Sequence, residues 1–269
     1  MLARAAKNHC ISKSDDVIAL AHADLDIAKY EKVIAAFERE RPEIVLNCAA
    51  YTNVDGAETN VEKCYAANVK GPENLSFAAK EFGAILVTIS TDYVFDGEKK
   101  GFYTEDDAPN PLGVYAKSKL EGEQRVLSAN EKAIVIRSGW IYGHGGTNFL
   151  SKVGELLKQS KQITAIEDSY GTPTYANDLA MRMRELAALK ADGVFHVTNG
   201  GPGASYYEFA RALAEICGFD PALIQPVSKN SLQRPASRPA NSRLSSVRDR
   251  ELSLMPLRDL QAALSDYLT

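Results

Sequence analysis

Short apolar runs alternate along this chain with longer stretches in which apolar residues return every three or four positions. Val17 to Leu20, Ile44 to Cys48, Ile85 to Ile89 and Ala133 to Arg137 have the length and continuity of buried strands. Between and after them, Tyr30 to Arg39, Glu62 to Phe82, Val114 to Leu127 and Phe149 to Gln159 have helical periodicity. A strand that reaches its neighbour through a helix-length crossover returns parallel and right-handed, so the pattern predicts an α/β, doubly wound, Rossmann-like parallel sheet. Later, Val194 to Thr198 is another strand pattern, with His196 inside it, and Asn199 to Gly203 reads as a turn. Ser205 then caps a helix, with Glu208 three residues on completing a capping box.

This division predicts a dinucleotide-binding domain over residues 1–145. Residues 146–269 form mainly a smaller substrate-binding lobe, with segments near 163–198 returning to the first domain. A dinucleotide fold ordinarily opens on a hydrophobic strand and a glycine-rich turn that brings backbone N–H groups to a pyrophosphate. Here the chain opens Met1-Leu2-Ala3-Arg4-Ala5-Ala6, without either. The expectation is an N-terminally truncated Rossmann-like domain, with about ten residues of strand and turn upstream, enough at ~3.3 Å per residue to cross a sheet. The alternative is a protein that has given up the pyrophosphate loop and binds something else, at the cost of two exposed strand edges. A second glycine cluster, Gly143-His144-Gly145-Gly146, lacks the fingerprint spacing and is read as a mobile connection.

The chain has 269 residues, 45% of them hydrophobic, which suffices for a sizeable core. A net charge of -4, with basic residues dispersed apart from a late cluster, argues against a nucleic-acid partner. Its apolar stretches fall short of the roughly 18 residues of a membrane span, so a soluble, cytoplasmic protein without a membrane partner is expected. Cys10, Cys48, Cys64 and Cys217 contain no Cys-x-x-Cys pair and are read as reduced thiols. The four histidines lack metal-ligand spacing, and no metal is assigned.

Candidate chemistry begins at Tyr115 and Lys119. Four residues apart on a helix, they share a face one turn apart, so an ammonium can sit beside a phenol and favour its ionised form. The strand that precedes them delivers Thr91 to its carboxyl end, where open α/β sheets hold ligands. A hydroxyl, a phenolic acid and a cation suit hydride transfer to a carbonyl.

With these residues in hand, six segments resemble the extended branch of the short-chain dehydrogenase/reductase superfamily. They are Val45 to Asp55, Ser90 to Gly97, Tyr115 to Glu123, Arg137 to Gly143, Tyr170 to Thr174 and Arg238 to Ser242, in the family's order across nearly the whole chain. The resemblance implies NAD(P)H-dependent reduction of the 4-keto group of dTDP-4-dehydro-L-rhamnose to dTDP-L-rhamnose. In that reading Thr91 holds the carbonyl, Tyr115 protonates the oxygen, and Lys119 binds the nicotinamide ribose and holds the phenol's pKa down.

The resemblance further places Asp24 and Leu25 beside the adenine, and Ala49, Ala50 and Tyr51 along the cofactor. It sets Asn68 in support of the lysine through backbone and water, and Thr52 and Val54 at the junction with substrate. Asp92, Tyr93 and Trp140 face the sugar, while Arg234, Arg238, Asn241 and Ser242 approach the diphosphate, for which an arginine fork is suited. Plainer roles stay open: Asp24 as a helix cap with Leu25 in the core, Asn68 as a solvent-facing amide, and Trp140 as core packing. NADPH and NADH are both admitted, because the segment ending at His22 carries neither an acid for the ribose nor an arginine for a 2′-phosphate. A homodimer and a bridging magnesium ion are left open. Two other readings stand: a sugar-nucleotide epimerase or dehydratase of the same fold, and a non-catalytic subunit resembling the regulatory subunit of methionine adenosyltransferase. The run Val94-Phe95-Asp96-Gly97, in place of Val-Tyr-Gly, favours the reductase over the epimerase.

Overall fold

The computed structural model describes residues 1–159 and 162–269. Its helices are α1 (Leu2–Ser12), α2 (Tyr30–Glu40), α3 (Val54–Ala57), α4 (Val61–Tyr65), α5 (Gly71–Phe82), α6 (Val114–Ala129), α7 (Phe149–Lys158), α8 (Ala176–Ala188), α9 (Tyr206–Cys217), α10 (Arg248–Glu251) and α11 (Leu260–Leu268). The strands are β1 (Ile44–Asn47), β2 (Ile85–Thr91), β3 (Ile134–Ser138), β4 (Ile141–Tyr142), β5 (Ile163–Ile166), β6 (Tyr170–Gly171), β7 (Thr174–Tyr175), β8 (Gly193–His196), β9 (Ala204–Ser205) and β10 (Ile224–Val227).

The main sheet has the order β1-β2-β3-β8 and every pairing in it is parallel. Its strands are apolar on both faces because both are covered. Leu46, Val87, Ile134, Ile136 and Phe195 point into a core shared with Leu179, Met183 and Leu186 of α8. Their neighbours in sequence, Val45, Leu86, Val135 and Val194, point to the opposite core, with Val33 and Phe37 of α2, Leu75 of α5 and Val126 of α6. This two-residue alternation divides each apolar strand between two layers of helix. α1 packs on α8, which completes the first layer.

A third core, containing Tyr142, Leu150, Val153, Phe209 and Leu213, holds α7, α9 and α11 around the two-stranded parallel pair β5-β10. It forms the smaller lobe. Of the segment 163–198, α8 and β8 join the main sheet and its helical cover, whereas β5 belongs to the lobe. Ser205 and Glu208 form the capping box at the start of α9.

Two expectations are corrected. Val17 to Leu20 is no strand, because among the described residues no neighbour meets its backbone groups; Ile18 and Leu20 are exposed, as is Ile44 on the outer strand. The helix expected over Glu62 to Phe82 is interrupted by a π-turn at Ala66–Lys70. Among the described residues no helix is long and apolar enough to cross a membrane.

Candidate active site

The carboxyl ends of β1, β2 and β3 open on a cavity of about 910 Å³ whose far wall is the smaller lobe. Parallel strands discharge their loops on one side, so side chains distant in sequence meet there. Thr91 is the last residue of β2 and lines the cavity, 5% exposed. Its hydroxyl accepts from the Tyr93 N–H at 3.2 Å and lies 3.0 Å from Asp92 Oδ1.

Asp92 is buried, and its Oδ2 has no hydrogen-bond partner among the described residues. Burial pushes its carboxyl up to about 7, against the hydrogen bond from Thr91 and the nearby Ser242 hydroxyl. The space it fills is left by Gly139 just beyond β3, where a Cβ would stand 2.4 Å from the Asp92 Cγ.

Tyr115 sits in the first turn of α6 and Lys119 one turn later. Gly113 at the N-cap has no side chain to close the helix, and Glu58 does so from outside, its Oε1 accepting from the Val114 N–H at 2.9 Å. Lys119 Nζ donates to the Ile89 carbonyl at 2.5 Å, which ties α6 to β2. Burial lowers Lys119 to about 8, opposed by the negative charge of Glu123. Glu123 is itself buried, forked by Arg137 at 2.7 Å and 3.1 Å and bonded by the Ser90 hydroxyl.

The expected lowering of the Tyr115 pKa is corrected. Burial pushes the phenol up to about 12, and the opposing influence comes from the neighbouring Thr91 hydroxyl, not from the Lys119 charge. The ammonium is directed at the Ile89 carbonyl. Tyr115 is therefore a protonated phenol at neutral pH.

On the opposite wall Trp140 holds a φ of 51°, sparsely populated for a bulky aromatic. Its ring stacks on Tyr206 with centroids 3.8 Å apart and lies so close over Gly171 that a Cβ there would stand 2.3 Å from Cε2. Core packing and cleft lining thus hold together in one side chain. Arg238 Nη1 and Nη2 donate to the two carboxylate oxygens of Asp55 at 2.9 and 2.8 Å, and Arg234 lies exposed at the same rim.

The cavity gathers Ala50, Thr52, Val54, Thr91, Asp92 and Tyr93 from one side, and Tyr115, Lys119, Trp140, Arg234 and Arg238 complete it. Seven expected residues do not line it. The exposed Asp24 accepts the Ala21 N–H at 2.8 Å to close a turn, and Leu25 packs into the core beneath α2. Ala49 is exposed on the loop beyond β1. Tyr51 is held from behind by Asn68, whose amide accepts the Tyr51 N–H at 2.8 Å and donates to its carbonyl at 3.2 Å. Asn68 is only 1% exposed, so it is no solvent-facing amide, and its contacts are with Tyr51, Cys64 and Ser118. Asn241 donates to the Lys99 and Gly101 carbonyls, and Ser242 stands behind Asp92.

Asp55, Ser138, Gly139 and Tyr206 also line the cavity and were not singled out from the sequence. Tyr206 had a usable signal, since the Ser205 capping box fixes it as the first helical residue. Ser138 and Gly139 fall in the Arg137 to Gly143 segment, at the end of β3.

A family model described as the RmlD substrate binding domain matches residues 1–269. A dTDP-4-dehydrorhamnose reductase of Mycobacterium tuberculosis is 41% identical over 262 residues, covering 94% of this chain and 84% of the relative. Among solved structures, a dTDP-4-dehydrorhamnose reductase of Clostridium acetobutylicum superposes with a TM-score of 0.94 at 37% identity, covering 99% of this chain and 94% of that one. A dTDP-4-dehydrorhamnose reductase of Bacillus anthracis in complex with NADP gives the same TM-score and coverage at 31% identity.

Proposed function

The chain belongs to the RmlD substrate binding domain family, and on that premise we propose that its cleft reduces the 4-keto group of dTDP-4-dehydro-L-rhamnose to give dTDP-L-rhamnose, with NADPH or NADH as reductant. The observation that carries this reading is the convergence of Thr91, Tyr115 and Lys119 on one wall of a cavity whose other wall holds Trp140 and Arg238.

The residues present fit a dinucleotide. Met1, Leu2 and Ala3, at the start of α1, line the cavity, and the N–H groups of a helix N-terminus suit an anion. Ala50 offers a small surface against which a flat ring can lie. Lys119 spends one of its three donors on the Ile89 carbonyl and keeps the others for ribose hydroxyls. When bound, the nicotinamide supplies the hydride.

The chain supplies the rest. Thr91 orients the carbonyl oxygen, and Tyr115 Oη releases its proton to that oxygen as negative charge builds there. The Lys119 ammonium, buried beside them, stabilises that charge in a site of low dielectric. Trp140 gives the hexose a flat apolar face, Asp92 and Tyr93 flank it, and Arg234 and Arg238 meet the diphosphate. Asn68 supports this wall by pinning the Tyr51 backbone. We assign cofactor binding to residues 1–145 with α8 and β8, and nucleotide-sugar recognition to the lobe within 146–269. A cytoplasmic homodimer completes the reading, and sedimentation equilibrium tests the dimer.

The reading is tested by incubating the protein with NADPH and dTDP-4-dehydro-L-rhamnose while following nicotinamide absorbance. Stoichiometric loss is expected. Binding of both ligands without oxidation would instead favour a non-catalytic binding protein.

A further inference from the structure

Asn53 to Glu58 form a short bracket beside the cleft. The Asn53 side chain accepts the Gly56 N–H at 2.9 Å and starts α3. Asp55 takes the Arg238 fork and also the Ala236 N–H at 3.2 Å, so the turn is held by the C-terminal segment as well as by its own cap. Glu58, three residues on, reaches across 56 residues of sequence to the Val114 N–H at the start of α6. It does not line the cavity.

The first turn of α6 rests heavily on this one contact. A helix start leaves its first four N–H groups without partners inside the helix. Gly113 at the N-cap has no side chain, and no acidic residue stands in the first turn. Among the described residues, the Val114 N–H is the one of these four that is met from outside the helix. One turn later the anchorage changes, because Ser118 is bonded by Asn68 at 3.0 Å and Lys119 is tied to the Ile89 carbonyl. Helix ends fray, and Tyr115 is the second residue of this helix.

We propose that Glu58 is a positioning residue of this site: by closing the start of α6 from α3, it holds the Tyr115 hydroxyl where it reaches the substrate oxygen. This rests on the reductase reading above. The carboxylate suits the task twice, as an acceptor for an open N–H and as a negative charge at the positive end of a 16-residue helix. Gly113 fits the same account. A Cβ there would stand 2.9 Å from Glu58 Oε1, so the glycine leaves the space that the carboxylate fills. Its φ of -108° and ψ of 173° are extended, the ordinary geometry of an N-cap and open to any residue.

The test is Glu58→Ala, assayed with NADPH and dTDP-4-dehydro-L-rhamnose. kcat should fall about 3- to 30-fold, the span that a helix cap controls, while the KM for the sugar and the affinity for NADPH stay within about twofold. Glu58→Gln, which keeps an acceptor oxygen, should lose less than Glu58→Ala. The decisive variant adds Gly113→Ser to Glu58→Ala. With the carboxylate gone a serine has room, its next neighbour being the Ser237 carbonyl oxygen at 3.7 Å, and its hydroxyl caps the helix from within. kcat should return to within about threefold of wild type. Hydrogen exchange at the Val114 to Ala116 amides should quicken in Glu58→Ala and slow again in the double variant. An unchanged kcat in Glu58→Ala, a loss that falls on KM, or restored exchange without restored kcat would overturn the positioning role. A wild-type protein that binds NADPH yet oxidises none would overturn the reductase reading instead, while the exchange rates would still show whether Glu58 holds the helix start.

Discussion

Tyr115 and Asp92 show how burial decides what a side chain does. A phenol raised to about 12 stays protonated across the physiological range, the form that the proposed proton donor requires. Tyr115→Phe should then leave NADPH affinity within about twofold and lower kcat by about 10²- to 10⁴-fold, the usual worth of a positioned proton donor. Fluorescence titration and steady-state kinetics on one preparation check both halves. Asp92 has a consequence for stability as well. Its folded pKa, about 7, lies above the ordinary 3.8, so between those values the folded state binds more protons than the unfolded one. Stability contributed by this group is complete below about pH 3.8 and is lost as pH rises through 7. Denaturation midpoints of wild type and Asp92→Asn, compared across that window, should show the wild type losing ground as pH rises; parallel profiles would contradict it. The positions of Tyr115, Lys119 and Thr91 were legible in sequence because one-turn spacing and a strand end fix them locally. The elevated phenol was not, because it depends on what covers Tyr115 and on the Ile89 carbonyl that takes the lysine.

The π-turn at Ala66–Lys70 has a visible cause at the level of elements. α6 crosses this point at Gly122, so close that a Cβ would stand 2.1 Å from the Asn68 carbonyl oxygen. The extra residue in the turn carries Asn68 inward, where it pins Tyr51 below the cleft and meets Ser118 at 3.0 Å. Periodicity made the helix itself readable. The bulge has no signature in the local pattern because its cause lies on another helix. Gly122→Ala should destabilise by about 1–3 kcal/mol, overpacking against a backbone atom outweighing the ~1 kcal/mol gain in helix propensity. Gly154 in α7 supplies the contrast, since its added Cβ would meet only Leu213 Cδ2 at 3.8 Å. Gly154→Ala should stabilise by up to ~1 kcal/mol. Urea denaturation with unchanged m-values checks both signs, and agreement in sign between the two variants would refute the packing argument.

The whole molecule sets one wall of the cavity on the parallel sheet with α6 and the other on the lobe. Their meeting was only partly legible. Alternating strands and helices gave the sheet, but Val17 to Leu20 looks like a strand in any local window and lacks a neighbour in the fold. Arg238 was expected at a diphosphate, whereas its partner Asp55, 183 residues away, has no local signature. That ion pair bridges the two walls, and its geometry leaves something over. Asp55 and the Ala236 carbonyl occupy both Nη1 hydrogens and one on Nη2, so the Nε–H and the remaining Nη2 hydrogen can receive a diphosphate as a parallel pair. Asp55 then acts as a brace that aims the guanidinium. Part-exposed, the pair adds no more than about 1 kcal/mol to stability, so its effects belong in binding. Arg238→Gln should raise the KM for the nucleotide sugar about 10- to 100-fold, matching charged hydrogen bonds worth about 1.5–3 kcal/mol, with a smaller change in kcat. Asp55→Asn should raise it in the same direction by less, because the arginine remains but is no longer held. Affinity for NADPH should be unaffected in both. Tighter binding of the nucleotide sugar by Asp55→Asn would mean that the carboxylate competes with the diphosphate, and the brace would be the wrong account of the pair.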